Sequence, residues 1–349
     1  MSGEQVGIRQ VAEAAGVSVT TVSHALNEKG RLNEDTRRRV REVAERLGYR
    51  PNALARSLAG GRSGLIGLAI APSAEGRFAF ADFAYYAQLM SSAAAAALDR
   101  GYALVLASGA EKRRWRAVRL DGAFVVDPAP EDPLCGEFRA QGIPLVTNGR
   151  EPGRDGDHYV DNDHPAATGA ILDHLAARGA RRVALVTSPA VNSYTIDARA
   201  GYESWCARAG QEPLIAVGRD LTERSGYEAS LRLLRTDDPP DAIYATLDWL
   251  ALGAMRAARE QRRQIPGELM IAACTDSDAG RWARPSLTAL ALEPDRIASA
   301  GIALLADLIE GREPRQSRVV IPTRIVPRAS TRRRALAQAT AHGDERTAA

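Results

Sequence analysis

The chain has 349 residues, which exceeds one average domain and suits two or three. Hydrophobic residues make up 45% and charged residues 26%, so a chain that is disordered throughout is excluded. No apolar run approaches the roughly 20 residues that a membrane span needs. The amino-terminal residues MSGEQVGIRQ lack the apolar core of a signal peptide, which predicts a cytoplasmic protein. Three widely separated cysteines without CxxC spacing argue against a disulfide framework and a structural zinc site.

The formal net charge of +3 is unevenly distributed along the chain. The first 62 residues carry 11 Lys or Arg against 7 Asp or Glu, whereas residues 63–326 carry 30 against 34. Attraction to phosphates is local and screened by salt, so a basic head on an acidic body suggests a polyanion partner for the head alone. A solvated charged face would account for the same counts.

Residues 4–50 have the apolar periodicity of helices alone. Val11 belongs to the apolar face of a first predicted helix and Val22 to that of a second. Asn33 can cap a third helix, whose apolar stripe includes Val40. Gly48 suits the end of this third helix.

The segment VAEAAGVSVTTVSHALN (11–27) carries the sharpest signal in the head. A helix-turn-helix needs a small residue at the helix crossing, a glycine at the tight turn and an apolar anchor, and Ala12, Gly16 and Val22 supply them. An ordinary αα-hairpin is the alternative. The segment therefore predicts binding in the DNA major groove. The predicted DNA contacts on and around the second helix are Ser18, Val19, Thr20, Thr21, Ser23, His24 and Asn27.

From Leu65 onward short apolar runs alternate with Ala- and Leu-rich amphipathic stretches. Buried strands that alternate with helices predict βαβ units and parallel sheets covered on both faces. Roughly 260 residues of this pattern are more than one sheet comfortably holds, so we predict two α/β lobes. The runs are LIGLAIA, YALVLA, GAFVVD, IPLVT, RRVALVT, AIYAT and LMIAAC.

The head resembles that of the lac/galactose repressor family over VAEAAGVS, TVSHALN and LGYRPNALARSLAGG. The resemblance implies a hinge helix over 52–59, opened by Asn52, in which Leu58 beside Ala55 wedges into the minor groove at the operator centre. A helix of about two turns is unstable alone in water, so it should form only against a partner hinge and DNA. The alternative for Leu58 is a residue that packs between domains. Candidate phosphate contacts are Arg31, Arg56 and the arginines of the third helix.

The body resembles the effector-binding core of the same family over YVDNDHPAATGAILDHLAARGARRVALVT, PDAIYATLDWLALGAMRAA and RPSLTALAL. That core is similar to periplasmic sugar-binding proteins, with two α/β lobes, three crossovers and a ligand between the lobes. The resemblance places the crossovers near Asp161, at 285–290 and at 320–326. The predicted division is a helix-turn-helix domain at 1–50, a hinge helix and linker at 51–62, a two-lobe effector-binding and dimerisation domain at 63–328 and a disordered tail at 329–349. The first lobe is predicted at 63–160 and 288–320, and the second at 161–287 and 321–328.

Effector contacts are expected at the carboxyl ends of the strands, where ligands gather in open α/β sheets. Asp248 follows AIYAT and Asp276 follows LMIAAC, and a carboxylate there can bind paired hydroxyls of a sugar or nucleoside. The resemblance places first-lobe aromatic residues that stack on the ligand at Phe83 and Tyr85. A helix cap or an exposed loop residue is the alternative for each, and Asp248 is equally suited to cap a helix. The full predicted set is Phe83, Tyr85, Tyr194, Asp197, Arg199, Asp248 and Asp276.

Three positions depart from the family pattern and leave the effector open. Ala198 stands where the family often has arginine, Leu247 where it has asparagine, and Thr275 lies in CysThrAsp where the family has GlyTyrAsp or GlyPheAsp. The effector can therefore be a sugar, a related metabolite or absent.

The sequence offers no enzyme motif and implies no cofactor. It contains no GxGxxG, P-loop or HExxH, and GGRSGL (60–65) precedes the first strand instead of following it. His158, Asp161, Asp163 and His164 cluster as metal ligands can, but such a run more often forms a polar loop, so no metal site is predicted. The predicted function is a transcriptional repressor that binds a palindromic operator and responds to a small molecule. It is predicted to be a homodimer, with a tetramer as the alternative. An enzyme or an effector-only binding protein on the same two-lobe core is the alternative.

Overall fold

A computed structural model of the protein describes residues 6–26, 32–49, 62–70, 83–108 and 112–332. The chain divides into two compact units, one within residues 1–64 and the other from Leu65 onward. No helix in the described part of the chain is long and apolar enough to cross a bilayer.

The first unit is a three-helix head with α1 at Ile8–Ala15, α2 at Val19–Leu26 and α3 at Glu34–Arg46. Gly16 ends α1 with a φ of 67°, a left-handed conformation in which a Cβ is unfavourable, so the chain turns sharply into α2. Asn33 begins α3 as predicted, because its side chain accepts a hydrogen bond of 3.0 Å from the Asp35 N–H. Val11, Val22 and other apolar residues of the three helices form one small core.

The second unit begins with a six-stranded parallel sheet whose spatial order is β11-β5-β4-β3-β1-β2. Its inner strand β1, between β3 and β2, is apolar throughout because helices cover both faces of the sheet. Gly301 lets one covering helix approach closely, since a Cβ there would lie 2.7 Å from the Phe124 ring. The strands are β1 Leu65–Ile70, β2 Ala103–Ser108, β3 Gly122–Val126, β4 Leu145–Asn148, β5 His158–Asp161 and β11 Arg318–Val320. The helices of this lobe are α4 Ala84–Leu98, α5 Lys112–Ala117, α6 Pro133–Ala140 and α12 Pro294–Ile309.

A second six-stranded sheet has the order β12-β10-β9-β8-β6-β7, with only β12 antiparallel to its neighbour. Helices again pack on both faces and bury two separate apolar clusters. Its strands are β6 Val183–Thr187, β7 Ile215–Val217, β8 Ala242–Ala245, β9 Met270–Cys274, β10 Thr288–Ala291 and β12 Arg324–Val326. Its helices are α7 His164–Ala176, α8 Ser193–Ala209, α9 Glu223–Leu234, α10 Asp248–Glu260 and α11 Asp278–Trp282.

The predicted fold class, a helical head and two parallel-sheet α/β lobes, is confirmed. Each apolar run proposed as a strand overlaps one strand, and together the runs cover β1, β2, β3, β4, β6, β8 and β9. The inner strands β5 and β10 and the edge strands β7, β11 and β12 lie outside those runs.

Two predicted boundaries are wrong. The prediction assigned residues from 288 to the first lobe, but Thr288–Ala291 pairs with β9 and β12, so the chain returns to the first lobe only after this strand. The prediction also began the disordered tail at 329. Ala329–Thr331 instead forms a 3₁₀ turn, and the buried Ser330 donates a hydrogen bond of 2.6 Å to the Ile271 carbonyl. The second lobe therefore continues to residue 332.

Candidate functional site

The head presents the amino-terminal part of α2 to solvent. The Ser18 hydroxyl accepts a 3.1 Å hydrogen bond from the Thr21 N–H, so Ser18 caps α2. Ser18, Val19 and Thr20 are exposed, while Val22 on the other side of the helix is completely buried. An exposed face of small polar and methyl-bearing side chains beside a tight turn has the geometry of a helix that reads the major groove.

The remaining predicted DNA contacts divide into two groups. Thr21, Ser23 and His24 are half-buried on α2. Those outside the described residues are Asn27, Arg31, Asn52, Ala55, Arg56 and Leu58, and with them the predicted hinge helix.

A cleft lies between the two lobes of the second unit, the kind of position at which small-molecule sites are commonly found. It opens at the carboxyl ends of strands in both sheets, because parallel strands bring their following loops to the same edge. The first lobe contributes Phe83, Tyr85, Tyr86, Asp127, Asn148 and Asp161. The second contributes His164, Ser188, Asn192, Tyr194, Thr246, Asp248 and Thr275, among others.

Two tyrosines of α4 orient polar groups in the cleft. The Tyr85 hydroxyl donates to Asn148 Oδ1 at 2.9 Å, and the Tyr86 hydroxyl donates to Asp127 Oδ2 at 2.6 Å. Their rings pack edge to face with centroids 5.4 Å apart. Burial raises the pKa of both phenols well above its ordinary value, so both remain protonated donors.

Asp127 lies directly after β3 and has a φ of 53° in the left-handed region. Burial raises the pKa of its carboxyl group to about 6; the Tyr86 hydrogen bond and His164 lower this pKa, while Asp161 raises it further. Burial likewise raises the pKa of Asp248, the first residue of α10. Hydrogen bonds from Ser277 and from the Trp249 N–H lower this pKa, but by less than burial raises it. The cleft therefore holds carboxyl groups that burial makes harder to ionise.

The crossover after β5 forms the polar hinge of the cleft. His164 Nε2 lies 3.0 Å from Asp161 Oδ1, and both side chains are buried. The Asn162 side-chain amide donates to the Leu292 carbonyl at 3.3 Å and to the Ile321 carbonyl at 2.7 Å. One side chain thus ties together the three places where the chain passes between the lobes.

Two family models match the chain. Residues 7–52 match bacterial regulatory proteins of the lacI family, and residues 172–331 match the periplasmic binding protein-like domain. The HTH-type transcriptional regulator CelR of Thermobifida fusca is 29% identical over 93% of this chain and 97% of its own. The HTH-type transcriptional regulator AglR of Rhizobium meliloti (strain 1021) is 32% identical over 78% of both chains. The chain belongs to the lacI family.

Solved structures of lacI-family regulators have the same fold. A transcriptional regulator CelR–cellobiose complex has 28% identity and a TM-score of 0.71, covering 93% of this chain and 100% of that one. A lac repressor dimer bound to operator and the anti-inducer ONPF has 23% identity and a TM-score of 0.80, covering 94% and 99%. As a lacI-family protein, the chain is a DNA-binding transcriptional regulator, and its relatives are regulators and not enzymes.

The structure brings part of the predicted effector set into the cleft of this lacI-family chain. Phe83, Tyr85, Tyr194 and Asp248 line it. Tyr194 also donates a hydrogen bond to the Thr246 carbonyl. Asp248 follows Leu247, which begins α10 without a side-chain cap.

Asp197, Arg199 and Asp276 lie outside the cleft lining, because each is engaged elsewhere. Asp197 forms an ion pair with Arg150, which follows β4 in the first lobe. Arg199 pairs with Glu203 at 2.7 Å along α8. The carboxylate of Asp276 lies 2.7 Å from Arg328 and 3.1 Å from Arg281. Burial alone would raise the pKa of Asp276, but the two arginines outweigh burial and lower it.

Sequence reasoning missed Tyr86, Asp127 and Asn148. Asp127 and Asn148 come at the ends of the runs GAFVVD and IPLVTN, so the rule that selected Asp248 and Asp276 could also have selected them. Tyr86 carries no such signal, because Tyr85 and Tyr86 are adjacent and only the fold shows that both face the cleft.

Proposed function

We propose that this lacI-family chain is a homodimeric transcriptional repressor whose affinity for a palindromic operator is controlled by a small-molecule effector in the interlobe cleft. The observation that carries the proposal is a cleft lined by aromatic and polar side chains from both lobes, in the same chain as a capped helix-turn-helix. The chain would act in the cytoplasm, where operator DNA is accessible.

The palindromic operator follows from the size of the head. A single helix-turn-helix reads one half-site, so two heads on a symmetric dimer read a palindrome. The lac repressor structure of the same fold is a dimer bound to operator, which supports this arrangement. The predicted hinge helix at 51–62, with Leu58 in the minor groove, would join the head at 1–50 to the two lobes, which we now extend to residue 332.

The cleft offers an effector the groups that polyhydroxy ligands need. Tyrosine rings give flat apolar surfaces, and Asp127, Asn148 and Asp248 supply acceptors for hydroxyl donors. CelR has been crystallised with cellobiose, which supports a sugar or a related metabolite as the class to test first.

Lobe closure would couple the effector to the operator. The Arg150–Asp197 ion pair joins the two lobes, and the Asn162 amide spans all three crossovers, so the lobes can shift about a defined hinge. A ligand that binds one closure state better shifts the population toward that state. Coupling energies of this kind are typically about 1–3 kcal/mol, or about 5–150-fold in operator affinity.

Selection of bound duplexes from random DNA by the purified full-length protein tests the proposal. We expect a palindromic consensus with a flexible pyrimidine–purine step at its centre, bound with an affinity that falls as salt rises. A protein that selects no duplex but binds a sugar in the cleft would instead be an effector-only binding protein, and the proposal would be wrong.

A further inference from the structure

Three side-chain oxygen atoms lie near Gly149, at the ends of β3, β4 and β5. A Cβ atom on Gly149 would lie 2.9 Å from Ser193 Oγ and 3.9 Å from both Asp127 Oδ1 and Asp161 Oδ2, so the three oxygens lie within 3.9 Å of one point. Gly149 has a φ of 81°, which side chains rarely adopt, and its missing Cβ avoids a close contact with Ser193 Oγ. The carboxylates belong to the first lobe and the serine to α8 of the second, so lobe closure assembles the group.

Ser193 supplies the second observation. Its side chain is completely buried, and its hydroxyl has no hydrogen-bond partner among the described residues. Buried polar groups are nearly always hydrogen-bonded in native proteins. A hydroxyl that is buried, unpartnered and close to the same point as two carboxylate oxygens indicates that a ligand group completes the set.

The charges around this space favour a cation. Among the cleft-lining residues in the part of the chain that the structure describes there is no Lys or Arg, whereas Asp127, Asp161 and Asp248 are present with His164. Arg150, which follows Gly149, is paired with Asp197. The electron-rich faces of the neighbouring aromatic rings also attract cations. Two carboxylates that face one space repel each other, and a single positive charge between them would stabilise both.

Four helices, α4, α7, α8 and α10, begin with or beside residues that line the cleft, and their positive ends would oppose a cation. Of these, α7 and α8 have side-chain caps, whereas α4 and α10 have none. The Asp163 side chain accepts from the Ala166 N–H in α7, and the Asn192 side chain accepts from the Thr195 N–H in α8. These caps occupy backbone N–H groups of the first helical turn that would otherwise be free to bind an anion.

We propose that Asp127, Asp161 and Ser193 form a subsite for a protonated primary amine on the effector, an inference that rests on the proposed role of the cleft. An ammonium group has three N–H donors, and the three oxygens supply three acceptors. A hydroxyl group brings one donor and no charge, so it would satisfy the set less well. In the described part of the chain no group of three His, Cys, Asp or Glu residues is arranged to hold a metal ion.

The ionisation of Asp127 gives the subsite a pH signature. Its pKa of about 6 is set by burial, with Tyr86, Asp161 and His164 as the titratable neighbours that act on it. A bound ammonium group favours the carboxylate and lowers this pKa again, so amine affinity should rise between about pH 5 and about pH 7. An uncharged ligand of the same shape should not show this rise.

The test uses ethanolamine, ethylene glycol and glycolate, which have similar size and carry a positive, zero and negative charge at neutral pH. Each is titrated against the full-length protein by ligand-detected NMR. Very small ligands reach high efficiency per atom, so ethanolamine in a formed subsite should saturate in about the millimolar range. Ethylene glycol and glycolate should bind at least about tenfold more weakly.

Two variants locate the binding. Asp127→Asn keeps the side-chain shape and removes the charge, and Ser193→Ala removes one acceptor. Each should weaken ethanolamine binding, with about a tenfold loss or more for Asp127→Asn. The matched control is Asp155→Asn, which changes an exposed carboxylate and should leave binding unchanged. Circular dichroism melting shows whether each variant is folded.

The amine subsite is overturned if ethylene glycol or glycolate binds as tightly as ethanolamine. Binding that Asp127→Asn leaves unchanged, or no saturation up to about 50 mM, overturns it as well. Operator selection by the same protein sample separates this result from the proposed function. A protein that selects a palindrome but ignores ethanolamine remains a regulator without the amine subsite, whereas one that binds ethanolamine but no DNA is not the regulator proposed above.

Discussion

The head and the interlobe cleft are assembled over different distances along the chain. The head uses consecutive residues from Ile8 to Arg46, and its helices pack on one small core. The cleft collects side chains from Phe83 to Leu292, which lie at or near the ends of strands and the starts of helices in both lobes. Local sequence therefore determines the head, whereas the cleft depends on sheet topology and on lobe closure. Each variant below disturbs one region and should spare the other.

The largest effect is expected for Val22→Asp in the head. Val22 is completely buried between the helices, and an unpaired carboxylate there should cost at least about 3 kcal/mol. Calorimetry should show loss of the head transition and unchanged melting of the two-lobe unit, and DNA binding should disappear. Val19→Asp is the control for stability, because Val19 is 41% exposed and the substitution should cost no more than about 0.5 kcal/mol. A Val22→Asp protein that still binds DNA would contradict the assignment of this core.

Gly253→Ala should disturb the second lobe and leave the head intact. A Cβ on Gly253 in α10 would lie 2.2 Å from the Glu223 carbonyl oxygen and 2.4 Å from the Tyr227 nitrogen, so the two helices would have to separate. Overpacking of this kind costs about 1–3 kcal/mol, measured as the free energy of unfolding in urea. Gly136→Ala is the matched control in α6, where the space is open and the substitution should stabilise by about 0.5–1 kcal/mol. Equal effects at both glycines would contradict the close helix packing.

His24→Ala tests how the head reads DNA without changing its core. His24 is half-buried on α2, and loss of a base contact should cost about 1–3 kcal/mol at one base pair of the selected operator. Binding to a panel of duplexes with single base changes measures the effect. An equal loss on every duplex would place His24 on the DNA backbone.

The Arg150–Asp197 ion pair joins the two lobes, and its coupling energy should be smaller than the effects predicted above. The two side chains are 36% and 17% exposed and lie in different lobes, so a double-mutant cycle with alanine should give about 1 kcal/mol in unfolding free energy. The comparison pair Arg199–Glu203 lies within α8 and is more exposed, and its cycle should give about 0.3–0.5 kcal/mol. A smaller coupling for Arg150–Asp197 than for Arg199–Glu203 would exclude a role in holding the lobes together.

Much of the fold could be predicted because its signals are short. Gly16, Ser18 and Asn33 each act within three residues of the helix end that they define. The central strands are apolar because both sheet faces are covered, and that pattern is visible in the sequence. The fold class followed from these signals and from the family resemblance.

The errors fall where distant residues decide the outcome. Ser330 belongs to the second lobe because its hydroxyl reaches the Ile271 carbonyl, and no local pattern reports that contact. Asp276 follows a strand as a ligand-binding residue would, but Arg328, far along the chain, pairs with it. Asp197 and Tyr194 share one helix, yet only Tyr194 lines the cleft, because Arg150 of the other lobe holds Asp197. Side chains that depend on lobe closure cannot be assigned from strand ends alone.

A reversible cross-link between the lobes tests the central claim, that lobe closure controls operator affinity, without requiring the natural effector. The Gly149 Cβ position and Ser193 Oγ are 2.9 Å apart, so cysteines at both positions are within reach of a disulfide. The φ of 81° disfavours a side chain at position 149, so thermal melting of the reduced double variant against the unchanged protein must first show that it is folded. Affinity for the selected operator is measured for the Gly149→Cys, Ser193→Cys protein in oxidised and reduced form, with mass spectrometry to establish the cross-link. The account predicts a change of about 5–150-fold that a reductant reverses. Equal operator affinities with the cross-link fully formed would contradict it.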